Sequence, residues 1–477
     1  MKKVRVRFAP SPTGKMHLGS VRIALFNYLF AKQKNGSFIL RIEDTDTERN
    51  MNSGIIENLN FLNLTYDEGP IVGGSYGPYL QSERTHIYQE KLDELIQNQK
   101  IYRCFCTPEE LETKKKIQQS KGEPPRYDRT CLHLSDDMIK QKLQEKKPFV
   151  WRLAINHDAI TEINTLDRGI MKFELKNFTD FAITRSDGSF TFLFTNAVDD
   201  WLMKVSHVIR GDDHLSNTAM QAAIYEAFAT SMPIFWHLPM ICNEEGKILS
   251  KRDFGSSLDD LIKEGFLPQT ILNYLAAIGT SLNPEVQSLD ELVSNYNFEH
   301  IHASGAIKYN VEKLKWYNHK WINLLDENLL FSYAKPFINL QFPESNALSD
   351  DKLLYLVNKV KNDAQTLKEI ANFLSFYFEQ PKVSKEELEN FLGQEKLKSV
   401  FEVIILSLSK TDKIDFLIEQ LKHHATEQNL KIKEIFGSVR YMLTGKFHGL
   451  GMHDLLNILE WDEIKNRIDA ALKILNI

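Results

Sequence analysis

The chain has 477 residues, of which 43% are hydrophobic and 26% charged, and its formal net charge is −6 at pH 7. Such a composition is typical of a soluble globular protein, and the length predicts roughly three to five domains rather than one core. The acidic balance excludes a uniformly basic nucleic-acid binder, although local lysine and arginine clusters can still contact phosphates.

Neither a membrane span nor a signal peptide is expected. The sequence contains no uninterrupted run of about 18 apolar residues, and the N-terminus leads into polar, proline-rich sequence. The four cysteines are too few for a disulfide scaffold in a chain of this length, which favours a reducing compartment. We therefore expect a cytoplasmic protein that does not contact membranes.

The first hundred residues or so alternate between strand and helix patterns. Residues 4–8 and 38–42 have the pattern of buried strands, and residues 21–32 that of an amphipathic helix. This βαβ unit predicts a parallel sheet covered on both faces, with ligands at the carboxyl ends of its strands. Residues 41–46, Arg-Ile-Glu-Asp-Thr-Asp, lie at that edge.

Residues 10–20, Pro-Ser-Pro-Thr-Gly-Lys-Met-His-Leu-Gly-Ser, link the first strand to the helix. A strand that ends in such a turn, followed by His-x-Gly at a helix start, predicts a nucleotide site. Gly19 lets a flat base approach the backbone, while His17 and the helix N-terminus face the phosphates. Taken alone, this motif has a simple alternative, since His-x-Gly recurs by chance.

Between residues 101 and 193 the pattern changes to a charged helix over Pro108–Ser120 and β-like runs at 149–155 and 170–175. Strand and helix alternation then resumes in residues 190–198, 205–209, 217–229 and 234–241. The nucleotide fold is therefore expected to be split by an inserted domain.

The inserted segment contains Cys104-x-Cys106 and Cys131-x-His133. Zinc prefers tetrahedral thiolate and imidazole ligands, so this Cys₃His set predicts a structural zinc site. The alternative is a pair of half-buried thiols on a strand, with His133 at the surface. Cys242 has no ligand partner nearby in the sequence and is expected to pack in the core.

A second nucleotide signal is Lys-Ile-Leu-Ser-Lys-Arg at residues 247–252. On a loop flanked by glycines, Lys251 can meet the charge that develops on a leaving pyrophosphate. A lysine loop alone is usually only solvated, but together with residues 10–20, and in this order, it predicts a nucleotide site.

Beyond Arg252 the chain is expected to be almost wholly helical. Helical periodicity is found in Leu258–Glu264 and in residues 268–278, 311–316 and 351–377. Trp316 and Trp321 are expected to anchor a helical core.

Together these segments resemble the bacterial-type glutamate–tRNA ligases, which are class I aminoacyl-tRNA synthetases. The resemblance is carried by residues 7–14, 41–46, 77–84, 208–214, 313–316 and 442–445. It implies a Rossmann-like α/β catalytic domain split by an α+β insertion and followed by all-α domains. The implied segments are the catalytic halves 1–100 and 190–252, a zinc-binding acceptor-stem insertion 101–189, a stem-contact region 253–322, and anticodon-binding domains 323–380 and 381–477.

The resemblance also implies a two-step reaction. The α-carboxylate of glutamate attacks the α-phosphate of ATP, which expels pyrophosphate, and a ribose hydroxyl of the terminal adenosine of tRNA then attacks the acyl-adenylate. Both steps need positioning and charge stabilisation more than a protein nucleophile. Mg²⁺ arrives with ATP, the other substrates are L-glutamate and tRNA(Glu), and the chain is expected to be a monomer.

Each implied role falls on residues of this sequence. The catalytic residues are His17, Lys251 and Arg252. ATP is held by Pro10, Ser11, Pro12, Thr13, Gly14, His17, Gly19, Ser250 and Lys251. Glutamate is held by Arg7, Ser11, Glu43, Phe192, Asn196 and Arg210, since a guanidinium forks onto a carboxylate and Glu43 accepts from the ammonium. Considered singly, Arg7 is more simply a surface charge on an edge strand, and Glu43, Asp44 and Asp46 are more simply helix caps. Beside the two nucleotide segments, the binding roles are favoured instead.

Three positions depart from the family pattern. Ser20 stands in place of the second histidine of the general class I signature, where this family is variable. Ile248 replaces the first lysine of the second signature, so loop closure over ATP is expected to differ. Phe192 replaces a tyrosine near the substrate, which removes one hydrogen bond of about 1 kcal/mol.

The helical region beyond about residue 323 is implied to read the anticodon. In glutamate-specific members an arginine stands three residues before a Thr-Leu-x-Glu stretch, which here is residues 366–369, and the position holds Asp363. Arginine donates to cytosine, the third base of glutamate anticodons, whereas aspartate accepts from guanine, the third base of glutamine anticodons. The hypothesis is that tRNA(Gln) is charged alongside or in preference to tRNA(Glu). The alternative is a solvated Asp363, with Lys361 on a phosphate.

Other functions stay open at this point. A glutaminyl-tRNA synthetase shares the catalytic signature but ends in β-barrels, and a truncated paralogue that modifies a tRNA base lacks an anticodon region. A small nucleotidyltransferase is typically one short domain. A catalytically weakened tRNA-binding paralogue is the most distant alternative, and the intact His17 and Lys251 argue against it.

Overall fold

The computed structural model describes residues 3–12, 14–45, 54–250, 252–280, 285–301, 305–410 and 413–474. The chain divides into two compact units, one of Met1–Leu261 with Pro268–Lys313 and one of Ile262–Leu267 with Leu314–Ile477. Within the described ranges, no helix is long and apolar enough to cross a membrane.

The first unit is an α/β structure. Its strands are β1 (Arg5–Phe8), β2 (Ser37–Leu40), β3 (Ile101–Cys104), β4 (Val150–Leu153), β5 (Ile160–Thr165), β6 (Gly169–Glu174), β7 (His207–Gly211), β8 (Ile234–Leu238), β9 (Ile241–Cys242) and β10 (Ile307–Lys308). Its helices are α1 (Leu18–Gln33), α2 (Ile55–Phe61), α3 (Thr85–Gln97), α4 (Pro108–Ser120), α5 (Asp136–Gln144), α6 (Phe192–Leu202), α7 (Leu215–Ala227), α8 (Leu258–Glu264), which ends in the second unit's first segment, α9 (Pro268–Ala277) and α10 (Leu289–Asn295). Short 3-10 helices cover Gln81–Arg84, Leu175–Asn177, Asp212–His214 and Phe298–His300.

Parallel strand pairs bring several carboxyl ends to one edge. β1 and β2 are parallel, with the register Arg5↔Ser37 to Phe8↔Leu40, and β7 and β8 are also parallel. Ser206 N donates to the Arg5 carbonyl at 2.9 Å, so β1 begins beside the start of β7. These four strands therefore end at the same edge, where an open α/β sheet binds its ligands.

The predicted βαβ unit is confirmed, and its helix begins earlier than predicted. β2 is wholly buried and β1 is buried over three of its four residues, as expected of parallel strands. Helix α1 begins at Leu18 rather than residue 21, because His17 is extended (φ −78°, ψ 155°) and forms the N-cap. The helix N-terminus therefore lies at the carboxyl edge of the strands.

A hairpin joins β8 on the side away from β7, and β1 and β2 form a separate two-stranded sheet. The strand order is β6-β5-β8-β7, with β5 and β6 antiparallel from Ile160↔Glu174 to Thr165↔Gly169. β5 joins β8 through one parallel residue pair, Thr165↔Phe235. β3 and β4 form a separate antiparallel pair, and α4 and α5 bury no residue of their own.

The second unit is built from helices, as predicted, and its described residues form no strand. The helices are α11 (Val311–Leu324), whose first residues belong to the first unit, α12 (Glu327–Gln341), α13 (Asp350–Val360), α14 (Leu367–Phe373), α15 (Ser375–Phe378), α16 (Lys385–Leu392), α17 (Gln394–Ser409), α18 (Ile414–Glu427), α19 (Ile432–Thr444), α20 (Met452–Ile458) and α21 (Trp461–Ile474). Further 3-10 helices cover Pro343–Ala347 and Lys361–Asp363.

Two expectations for this unit are corrected. The pattern over residues 351–377 is not one helix, because Ala364 is extended and Thr366 caps a new helix, its hydroxyl accepting from Glu369 N at 3.2 Å. Trp316 is 40% exposed, since its neighbours Leu314 and Tyr317 fill the interior, while Trp321 packs on the core as expected. Cys242, in the first unit, is buried, which confirms its predicted packing role.

Candidate active site

A cavity of about 440 Å³ opens at the carboxyl ends of β1, β2, β7 and β8. β1 and the turn after it, the N-terminus of α1, the segment after β2, helix α6 and β7 all contribute to its wall. Of the residues predicted from the sequence, the structure brings these together around it: Arg7, Pro10, Ser11, His17, Gly19, Glu43, Phe192, Asn196 and Arg210.

The N-terminus of α1 forms one wall and suits an anion. The first turn holds no acidic residue, and its backbone N–H groups lack helical partners. The N–H of Leu18 is taken by the Ser256 carbonyl at 3.0 Å, whereas a Cβ built on Gly19 would have no neighbour within 4 Å. This wall is therefore open to a flat or anionic ligand beside His17.

Not every predicted ATP residue reaches the cavity. Pro12 and Gly14 lie in the turn behind it and do not line it, and Gly14 adopts a φ of +126° that a glycine accommodates. Thr13 lies outside the described residues.

The loop after β9 is held by local hydrogen bonds. Leu249 N donates to the Ile241 carbonyl at 3.1 Å, and Ser250 N and Oγ both donate to Asp253 at 2.8 Å. Ile248 lines the cavity and is 59% exposed, whereas Ser250 and the exposed Arg252 do not line it. Lys251 lies outside the described residues, so its role stays a prediction.

A chain of buried charges runs behind the cavity. Asp200 Oδ1 accepts from Arg7 Nε at 3.0 Å and from Arg41 Nη1 at 2.8 Å. Arg41 Nη2 also donates to Glu43 Oε1 at 3.1 Å, and Asn196 Nδ2 donates to the same oxygen at 2.6 Å. Charges this deeply buried persist because each is paired and hydrogen-bonded.

The pKa values follow from burial and pairing. Burial raises the pKa of Glu43 above its ordinary value, although Arg41, Arg7 and Asn196 oppose the change. Burial acts on Asp200 in the same direction, but the two guanidiniums outweigh it and hold the pKa of Asp200 below its ordinary value. The pKa values of these two buried carboxyls are therefore shifted in opposite directions, because Asp200 accepts from two guanidiniums and Glu43 from one.

Arg210 presents an unpaired guanidinium edge to the cavity. Its Nη2 donates to Thr218 Oγ1 at 2.6 Å, whereas Nε and Nη1 are buried without a hydrogen-bond partner among the described residues. Burial lowers the pKa of Arg210 to about 10. Behind it, Thr218 Oγ1 lies 2.8 Å from His237 Nε2, and burial, with Arg210, lowers the pKa of His237 to about 3. Two unmet donors on a buried cation are suited to a carboxylate ligand.

Sequence reasoning missed several residues of this site. Arg22 lines the cavity, is 1% exposed and donates from Nη1 to the Pro239 carbonyl at 3.2 Å. Asp200 supports the site from behind the cavity wall, through Arg7 and Arg41. With Asp199, which does not line the cavity, it forms an acidic pair within the largely apolar helix α6, a signal that predicts buried pairing. Thr218 and His237 carry no comparable signal, because neither lies in a recognisable motif.

The comparisons with known proteins match this arrangement. Residues 3–316 match the family described as tRNA synthetases class I (E and Q), catalytic domain, and residues 329–472 match an anticodon binding domain. The chain belongs to the class I tRNA synthetases. As a synthetase of this class it has the expected fold, a mixed α/β catalytic domain with a helical C-terminal part.

Curated relatives of this synthetase are glutamate–tRNA ligases. Glutamate–tRNA ligase 1 of Syntrophomonas wolfei is 37% identical over 99% of this chain and 97% of that protein, and glutamate–tRNA ligase 1 of Fervidobacterium nodosum is 37% identical over 99% and 100%. The crystal structure of a glutamate tRNA ligase from Elizabethkingia meningosepticum in complex with its amino acid matches with a TM-score of 0.87 and 31% identity, over 99% of this chain and all of that one. The resemblance drawn from the motifs is confirmed, and the weakened-paralogue alternative is not supported.

The synthetase also gathers three of its four predicted zinc ligands. The sulfur atoms of Cys104, Cys106 and Cys131 all lie within 4.8 Å of one another. His133 is exposed and lies outside this group, and the hydroxyl of Tyr127 lies 3.3 Å from Cys104 Sγ instead. Three thiols and one phenol fit a tetrahedral metal ion such as zinc.

Asp363, the predicted anticodon residue, lies in the helical unit. It ends the 3-10 helix Lys361–Asp363, is exposed, and borders a cavity of about 350 Å³. Arg440, Lys446 and His448 line the same cavity, so donors and an acceptor face one space.

Proposed function

We propose that the synthetase activates L-glutamate with ATP and transfers the glutamyl group to the 3′-terminal adenosine of tRNA(Glu). The observation that carries this proposal is the set of charges in one cavity: the guanidiniums of Arg7 and Arg210 with the carboxylate of Glu43. L-Glutamate has two carboxylates and one ammonium, which these three groups complement.

ATP is proposed to lie along the N-terminus of α1. His17 and the free N–H groups of the first turn would donate to its phosphates, and the open space at Gly19 would accept the flat base. Lys251 and Arg252 are proposed to neutralise the departing pyrophosphate, and Mg²⁺ would arrive with ATP.

The decisive experiment is aminoacylation of purified tRNA(Glu) with radiolabelled glutamate and ATP. We expect charging by the wild-type chain and a loss of charging in His17→Ala, which removes no side-chain cap bond from α1, with thermal melting as the check that the variant is folded. Absence of charging by the wild type contradicts the proposal. The same preparation tests the proposed monomer, since sedimentation with and without tRNA reports its mass.

Zinc is proposed to be held by Cys104, Cys106 and Cys131, where it would rigidify the segment after β3. Two candidates exist for the fourth ligand, His133 from the sequence and Tyr127 from its position beside Cys104. Metal analysis of purified His133→Ala and Tyr127→Phe decides between them, because only loss of the true ligand lowers zinc content. Wild-type protein without zinc contradicts the site.

The finer proposal concerns the tRNA. We propose that Asp363 accepts hydrogen bonds from a guanine at the third anticodon position, so that tRNA(Gln) is charged beside tRNA(Glu). Its support is the position of Asp363 at the mouth of a cavity with basic walls. Charging of both tRNAs by wild type and Asp363→Arg tests it: the variant should lose tRNA(Gln) and keep tRNA(Glu). Charging of tRNA(Glu) alone by wild type contradicts this part.

A further inference from the structure

Asp200 stands between the two opposite charges of the proposed glutamate site. It lies on α6, its side chain is 2% exposed, and it does not line the cavity. One of its oxygens, Oδ1, accepts from both Arg7 and Arg41. Asp200 therefore acts on a ligand in the cavity through charged neighbours, and its two hydrogen-bonded arginines are the most direct of them.

The four groups form a row of alternating charge. Arg7 is bound to Asp200, Asp200 to Arg41, and Arg41 to Glu43. Because Arg7 uses Nε for Asp200, the two terminal nitrogens of its guanidinium stay available as a fork for a carboxylate. Because Glu43 accepts hydrogen bonds from Arg41 and Asn196, its carboxylate is held at the opposite end of the row from Arg7.

Removal of the Asp200 charge would change what Arg7 faces. The other carboxylate of the row, Glu43, lines the same cavity as Arg7, and the charge of Arg7 acts to lower the pKa of Glu43. In a site of low polarity two such groups attract strongly. A direct Arg7–Glu43 pair would occupy at once the donor for a substrate carboxylate and the acceptor for its ammonium.

We propose that Asp200 is a positioning residue that sets the affinity for L-glutamate by keeping Arg7 and Glu43 from neutralising each other. The inference rests on the proposed glutamate site. Its consequence is selective: binding of glutamate depends on Asp200, whereas binding of ATP, which the N-terminus of α1 is proposed to hold, does not.

The chain contains a matched control in the preceding residue. Asp199 lies on the same helix, is completely buried, and accepts from Arg84 Nε at 2.7 Å, Gln81 Nε2 at 2.8 Å and Tyr88 Oη at 2.8 Å. None of these three partners lines the cavity. Asp199 Oδ2 also lies 3.7 Å from Arg41 Nε, so both variants weaken the pairing of Arg41, whereas the hydrogen bond to Arg7 comes from Asp200. Asp199→Asn therefore reports the cost of a lost buried charge beside Arg41 while the hydrogen bond between Asp200 and Arg7 is kept.

The test compares Asp200→Asn with Asp199→Asn in the full chain, by aminoacylation kinetics with tRNA(Glu). We expect Asp200→Asn to raise KM for glutamate by about tenfold or more, the loss that one charge-assisted hydrogen bond implies. KM for ATP should be essentially unchanged, and Asp199→Asn should lower Tm while leaving KM for glutamate near the wild-type value. Asp200→Glu, which keeps the charge, should restore part of the affinity.

Equal changes of KM for glutamate in both Asn variants, or an unchanged KM in Asp200→Asn, would overturn the proposal. If Asp200→Asn shows no cooperative melting, Asp200→Glu and Asp199→Glu replace the two Asn variants. The Asp200 variant is then expected to raise KM for glutamate more than the Asp199 variant does, and equal changes would overturn the proposal. Arg7→Lys and Glu43→Gln distinguish a failure of the proposed glutamate site from a failure of the proposed role of Asp200. If neither raises KM for glutamate the proposed site is wrong, whereas if both do and Asp200→Asn does not, only the role of Asp200 is wrong.

Discussion

At the residue scale, His237 is a base that folding keeps neutral. It is completely buried beneath Arg210, hydrogen-bonded to Thr218, and its pKa lies near 3 because burial and the neighbouring cation disfavour its charged form. A neutral ring can accept from the Thr218 hydroxyl, whose oxygen in turn accepts from Arg210. The Arg210 guanidinium is therefore linked through Thr218 to an imidazole that does not itself line the cavity.

This depressed pKa predicts a pH dependence of stability. Between pH 6.5 and 3 the unfolded chain binds a proton at His237 that the folded chain does not, so the free energy of unfolding falls as pH is lowered. The slope is about 1.4 kcal/mol per pH unit for one proton. Urea unfolding of wild type and His237→Asn at pH 7.5, 6.5 and 5 measures it: the wild type should lose about 2 kcal/mol more than the variant. Parallel losses would contradict the assignment of this slope to His237.

At the element scale, helix stability and ligand binding favour different residues at the start of α1. Gly19 is a poor helix former, yet a Cβ there would meet nothing within 4 Å and would project into open space at the cavity. The glycine is therefore explained by the proposed ligand rather than by the helix. The sequence motif predicted this position, but only the structure shows that the neighbouring protein leaves it empty.

Gly19→Ala is accordingly expected to raise Tm and impair nucleotide binding. The gain in helix stability is up to about 1 kcal/mol, and the added methyl group should increase KM for ATP severalfold. Thermal melting and ATP-dependence of aminoacylation measure the two effects, with KM for glutamate as the internal control. An unchanged KM for ATP in Gly19→Ala would contradict the proposed position of ATP beside the N-terminus of α1.

Helix α14 depends on its cap because the chain before it is extended. Thr366 Oγ1 accepts from Glu369 N, and Glu369 in turn accepts from Gln365 N at 2.7 Å. Thr366→Ala should lower the free energy of unfolding by about 1 kcal/mol, whereas Thr366→Ser, which keeps the hydroxyl, should stay near wild type. Chemical denaturation of both variants tests this, and equal losses would contradict the capping role.

At the scale of the whole molecule, local patterns predicted the α/β first part and the helical second part, and the resemblance predicted nine of the residues that line the cavity. They could not predict the buried charge row, since Arg41 and Asp200 are 159 positions apart and Arg7 and Asp200 are 193 apart. Nor did periodicity reveal the break near Ala364, because the apolar pattern continues across it. The bounds of the six predicted segments, the cytoplasmic location and the role of Lys251 stay predictions.

The single residue pair between β5 and β8 has a dynamic consequence. A hairpin that joins the neighbouring strand through one residue pair can open locally while the longer β7–β8 ladder stays closed, so its backbone amides should exchange with deuterium sooner. Hydrogen-exchange mass spectrometry resolves the two segments, and equal protection would show that they open as one cooperative unit. The sheet would then have a graded stability, highest beside the cavity and lowest at the hairpin.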